Sequence, residues 1–316
     1  MTLALGLLTV AVVIGVAAPL YLRIAVTPRL RPGLALAAWM HSLLTVVVAL
    51  PLSGLLLALP AGSGLDGLVG MADNCVNVFV SRDDVAWAAW ADVARLGSAA
   101  ALLALTARVA VVAVLRVRRH RRHRREHVAL LRSLGRADGA VLWLADTTPI
   151  AYSVGGRDGT IVATRGVERL NADERDAVLA HEWAHLRGRH HALVLAADIV
   201  AAALSFVPLC RQAPGAVRVL VELAADAAAA RHHGPGPVRS ALLAVTARQT
   251  PRTALAMSRD AVDARLLWLE SGRLPTRRLP VRADYAAAAA LTTVPAALSV
   301  TGVVLLVTLY CLAVVG

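Results

Sequence analysis

Residues 3–22, 34–60, about 96–115 and 286–315 are almost uninterrupted runs of Ala, Leu, Val and Ile. Each is long enough to cross a bilayer as a helix, which takes about 20 apolar residues. Between the third and fourth runs the pattern changes. A polar stretch predicts a helical linker to about Leu134. GAVLWLAD (139–146), PIAYSVGG (149–156) and GTIVATRG (159–166) then predict three short strands, with Gly155-Gly156 and Asp158-Gly159 marking the turn between the last two. LNADERDAVLAHEWAHLRGRHH follows. Asn171 with Glu174 three residues on has the form of a capping box, so a helix starts near Ala172, and Ala177–Ala180 predict a buried first half. Residues 192–209 are ambiguous. They read either as a fifth span or as a buried or membrane-surface helix ended by the Val207-Pro208 step; Asp198 at their centre favours the second reading.

The chain has 316 residues, of which 58% are hydrophobic, and a mean hydropathy of +0.63, which places it in the membrane class. Its formal charge of +12 is clustered beside the apolar runs. Arg23, Arg29 and Arg31 follow the first run, RVRRHRRHRREH (116–127) follows the third, and Arg273, Arg277, Arg278 and Arg282 precede the fourth. Asp66, Asp73, Asp83 and Asp84 lie between the second and third. All basic loops then share one side if the N-terminus is outside, so the positive-inside rule predicts a multi-pass cell-membrane protein with 116–285 in the cytoplasm. The expected organisation is three membrane helices in 1–115, a cytoplasmic domain in 116–285, and a last membrane helix in 286–316. A basic block beside a span needs no nucleic acid, and none is expected as a partner. Cys75, Cys210 and Cys311 are read as free thiols. The N-terminal run has no preceding basic residue and is too long for a signal-peptide core. Arg108 and His41 fall inside spans; Arg108 either lines a wet cavity or snorkels to the headgroups.

The chemistry lies in His181-Glu182-Trp183-Ala184-His185. On a helix the two imidazoles share a face and can hold one zinc ion, and Glu182 between them is placed as general base toward a zinc-polarised water. A catalytic zinc needs a third protein ligand. Gly188 and His191 complete H-E-x-x-H-x-x-G-x-x-H, but an apolar helix follows at once, against the turn that such a third histidine requires. Glu222 is the preferred ligand. With Asp226 it forms E-x-x-x-D on one face of an apolar helix, where paired carboxylates are costly without a cation. Asp226 would fix a ligand histidine's tautomer. His190 and His191 are expected as exposed helix-end residues, and His232 and His233 close a helix before Gly234. Arg231 is a possible transition-state stabiliser. The strand near 159–164 is the expected edge for an extended substrate.

HEWAHLRGRHHALVLAADIVAAALSFVPLC followed by VELAADAAAARHHG resembles the membrane metallopeptidases of the BlaR/MecR-type sensor-transducers, with Phe206-Val207-Pro208 at their Phe-x-Pro-like turn. The E-x-x-x-D is also similar to that of gluzincins that cut prenylated proteins and of the heat-shock protease HtpX. The resemblance covers about 140–235. It implies a mostly α-helical integral membrane protein carrying a small α+β gluzincin-like zinc peptidase domain before its last span. It also implies one Zn2+ per chain and a protein or peptide substrate, such as a cytoplasmic repressor. Those sensor-transducers carry a penicillin-binding domain after the last span; the sequence ends at Gly316, so β-lactam sensing by such a domain is not expected. The rival readings are a non-catalytic zinc-binding membrane signalling scaffold, which would not need Glu182, and a four-span transporter.

Overall fold

A computed structural model describes residues 2–25, 31–58, 85–156, 159–246 and 256–270, together with 286 and 290. The expected last span, 286–315, and the basic loop at 273–282 lie outside the described residues, apart from 286 and 290.

The first two apolar runs are helices α1 (Thr2–Ala25) and α2 (Pro32–Ala58). Half of the buried residues of α2 are small, Ala35, Ala38, Ser42, Ala49, Ser53 and Gly54, with Leu36, Trp39, Leu43 and Val46 interleaved. Small residues let helix backbones approach closely. At Gly54 a side chain would meet Leu102 at 3.1 Å, so the glycine sets the contact with the next helix. That helix, α3 (Val85–Leu134), runs 50 residues without a break. The third apolar run, the arginine block and the linker are therefore one rod, about 75 Å long at 1.5 Å per residue. Among the described residues, Pro32–Ala58 and Asp92–Leu134 are long and apolar enough to cross a membrane. Leu20, Leu44, Val111 and Leu115 point outward, as lipid-facing side chains do.

A four-stranded mixed sheet follows, with order β1-β2-β4-β3. The strands are β1 (Arg136–Asp138), β2 (Val141–Leu144), β3 (Ala151–Val154) and β4 (Thr160–Thr164). β2 and β4 are parallel, and β1 and β3 run antiparallel to them. The expectation that 159–164 is an edge is corrected here. β4 is central, with Ile161, Val162 and Ala163 almost fully buried, and β3 is the edge beside the helices. The reason is the parallel β2–β4 pairing, which a meander reading of three successive strands does not anticipate.

After the one-turn helix α4 (Arg165–Glu168), α5 (Ala172–Arg187) begins on Asn171, whose side chain accepts from the Glu174 amide at 2.8 Å. The Glu174 carboxylate accepts from the Ser240 hydroxyl. α6 (His190–Ala203) is 14 residues long, about 21 Å, too short for the ~30 Å hydrocarbon core. Asp198 is satisfied by Arg218, which reaches both its oxygens at 2.8 Å. Pro208 does not end this helix; it is the first residue of α7 (Pro208–His233), where a missing amide costs nothing. α6 and α7 pack on α1 and α2 in one shared core that includes Leu22, Trp39, Val200, Leu209 and Val217. A second core joins α5 and α7 to α8 (Pro235–Thr246) and α9 (Ala256–Glu270) through Val178, Leu223, Ala230, Leu242 and Trp268. Cys210 is buried as a free thiol; Cys75 and Cys311 lie outside the described residues.

Candidate metal centre

The centre forms where α5 crosses α7, over the free edge of β3. His181 and His185 are one turn apart on α5, and their Nε2 atoms approach to 3.1 Å. Glu222 on α7 faces both, with Oε2 3.4 Å from His181 Nε2 and Oε1 3.5 Å from His185 Nε2. One ligand atom from each of the three lies within 4.8 Å of the others. Two imidazoles and one carboxylate are the donor set of a catalytic zinc that keeps an open position, so the residues present fit that ion. Asp226, one turn beyond Glu222 and fully buried, accepts from His181 Nδ1 at 2.9 Å, which directs Nε2 toward Glu222.

Three residues that sequence reasoning missed complete the surroundings. Arg265 of α9 holds both carboxylates: Nε and Nη2 bond Asp226 at 2.6 and 2.8 Å, and Nη1 lies 3.1 Å from Glu222. In an arginine-rich chain one more arginine carries no signal. His190 and His191 are not exposed helix-end residues. Nδ1 of His190, which is only 6% exposed, lies 3.0 Å from His185 Nδ1, and His191 Nε2 lies 3.1 Å from the Ser153 hydroxyl. The turn that folds them back passes through Arg189 at φ 51°, a left-handed conformation unusual for arginine. Gly188 has an ordinary φ of −75°; space is what requires it, because a Cβ there would stand 2.3 Å from His190 Nε2. The glycine and histidine of H-E-x-x-H-x-x-G-x-x-H thus serve a second layer around the centre, and Glu222 occupies the third corner.

Glu182 lines the same cavity, of about 460 Å³, as His181, His185, Glu222 and Arg265. Burial pushes its carboxyl above the ordinary glutamate range, against hydrogen bonds from the Ser153 side chain and backbone. For Glu222 and Asp226, burial alone would raise the pKa. His181 and Arg265 more than reverse it and bring each down to about 2. His181 is pulled down by burial but pushed further up, to about 9, by Asp226 and Glu222. His185 is lowered to about 3 by burial and the neighbouring His181 charge.

Arg231 is not brought into this group. It is exposed near the end of α7 and does not line the cavity. His232 and His233 close α7 before Gly234.

Residues 117–261 match the model of peptidase family M48. The match begins inside the arginine block of α3 and contains every residue of the centre except Arg265. M48 peptidases are metallopeptidases, typically zinc-dependent, and the match is consistent with a membrane metallopeptidase of the BlaR/M48 type. No curated protein and no solved structure matches the chain.

Proposed function

We propose that this chain is an integral membrane zinc endopeptidase that hydrolyses peptide bonds of a cytoplasmic or membrane-proximal protein. The observation that carries the reading is the convergence of His181, His185 and Glu222 on one point in a cavity that also holds Glu182. These three residues would hold the metal; bound there, zinc supplies the Lewis acidity that makes water nucleophilic near neutral pH and polarises the scissile carbonyl. Glu182 accepts the proton of the attacking water and returns it to the leaving amine. Its raised pKa suits both halves of that task. Asp226 fixes the His181 tautomer, and Arg265 keeps Asp226 and Glu222 ionised and in place.

Substrate is held along β3. Thr164 N–H donates to Ile150 C=O, so in the antiparallel pair with β4 the amide of Ala151 and the carbonyls of Ala151 and Ser153 point away from the sheet, toward the cavity, while the Ser153 amide is taken by Glu182. An extended polypeptide can pair with them. The basic flanks of the spans support a multi-pass arrangement with the N-terminus outside and the centre on the cytoplasmic side. A cytoplasmic repressor in a signalling pathway is the substrate we would try first.

The test is metal analysis of detergent-purified protein combined with cleavage of candidate substrates. About one zinc per chain is expected. Glu182→Gln should keep the zinc and lose cleavage; cleavage at the wild-type rate by that variant would leave only a zinc-binding scaffold.

A further inference from the structure

A second groove, of about 720 Å³, lies between α3 and α6 beside the candidate centre. One wall is basic: Arg121, Arg124 and Arg125 of α3. The other is apolar: Leu195, Ala196 and Ile199 of α6. None of its lining residues is acidic. The nearby Glu126 is taken up by Arg122 at 2.8 Å. The groove joins the catalytic cavity at His191, which lines both. It also begins where β3 ends, since Gly155 and Gly156, the residues after Val154, form its floor. Gly155 is there for space and Gly156 for its backbone, at φ 153°. A Cβ on Gly155 would stand 2.6 Å from the His191 ring, and one on Gly156 would overlap the Arg124 guanidinium, which donates to Gly155 C=O at 2.9 Å.

We propose that this groove is an extension of the substrate cleft and selects polypeptides carrying acidic side chains, spaced by apolar ones, to one side of the scissile bond. The inference rests on the peptidase reading and specifies its substrate class. A chain paired with β3 runs off the end of that strand directly into the groove. There it meets a basic wall, with no acidic residue among the described lining, opposite an apolar one. Charge complementarity of this kind sets specificity more than raw affinity. A lipid phosphate is the competing occupant, because the arginines follow a membrane span. A headgroup in this groove would block the exit of the β3 edge, whereas Arg116, Arg118 and Arg119 are exposed outside it and are free to meet a membrane surface.

The experiment uses the full-length Glu182→Gln protein in neutral detergent, so that binding is read without turnover. Fluorescence anisotropy is measured with short labelled peptides of alternating Glu and Leu, and with counterparts in which Gln or Lys replaces Glu. The acidic peptide should bind about tenfold or more tighter than the Gln peptide, with the preference falling as salt is raised. Arg121→Glu/Arg125→Glu should abolish or invert that preference, while Arg116→Glu/Arg119→Glu, outside the groove, should keep it. Arg121→Gln/Arg125→Gln is the milder pair if the charge reversal unfolds the protein, and should remove the preference without inverting it. Charge-blind binding overturns the proposal, as does a preference that survives in the groove variants. It is equally overturned if those variants change only the amount of anionic lipid retained on purification. Cleavage by the wild type without acid preference would sink this inference alone; acid-selective binding without any cleavage would sink the peptidase reading alone.

Discussion

Nδ1 of His190 lies 3.0 Å from Nδ1 of His185, ring edge against ring face, in a contact sealed from solvent. Only one proton fits between two ring nitrogens. A metal held on His185 Nε2 needs the lone pair there, which puts that proton on His185 Nδ1 and makes His190 its acceptor. His190→Leu should therefore weaken zinc affinity by about ten- to a hundredfold, as loss of an outer partner does elsewhere. His190→Asn, which keeps an acceptor near the Nδ1 position, should recover most of it. Gly188→Ala should mimic the leucine variant by displacing the His190 ring. Competition with a chelator measures all three, and equal affinities for the leucine and asparagine variants would remove the acceptor role.

Glu182→Gln preserves shape but cannot take a proton. Cleavage should fall by about two to four orders of magnitude, the usual worth of a general base, with zinc content and unfolding temperature unchanged. The relevant measurement is a single-turnover rate alongside metal analysis.

The pH profile follows from the burial of Glu182. Its acceptor form is the carboxylate, and its pKa is raised, so activity should fall as pH drops through a value above the ordinary glutamate range. Ser153 hydrogen-bonds the carboxylate and opposes the rise. Ser153→Ala should move the acid limb of kcat/KM to still higher pH. A limb that stays put or moves down would contradict this account of the carboxyl's surroundings.

Arg265 compensates the fully buried charge of Asp226. Arg265→Met should cost about 3 kcal/mol of stability, because the fully buried Asp226 carboxylate is left with His181 alone to compensate it. Arg265→Lys keeps the charge without the two-pronged grip and should cost less. Thermal unfolding in detergent compares them; a methionine variant as stable as wild type would mean that the pair is dispensable.

Reporter fusions test the orientation. Residues 125 and 278 should map to the cytoplasm, and residue 70 and the C-terminus to the outside. Opposite sides for 125 and 278 would require a crossing between them that the short α6 does not provide.

Local features of this protein were legible in the sequence because neighbouring residues decide them. The helix start at Asn171, the pairing of His181 with His185 on one face, the stop at Gly234 and the apolar lengths of α1, α2 and α3 all follow from short-range sterics and periodicity. β1 was less legible: three exposed residues, Arg136, Ala137 and Asp138, have no strand pattern, and only the adjoining Asp138-Gly139 marks a turn there.

What the tertiary structure decided is which distant groups meet. Glu222 and Asp226 could be nominated from their spacing, but only the crossing of α5 and α7 sets them against His181 and His185. Arg265 arrives from α9, His190 folds back through a left-handed Arg189, and Asp198 finds Arg218 on the next helix. The parallel pairing of β2 with β4 makes β3 the edge. Each of these depends on burial and charge compensation between segments far apart in the chain. Propensity and spacing act over a turn or two of backbone, so the sequence could nominate candidate ligands, while the groups they meet were chosen by packing.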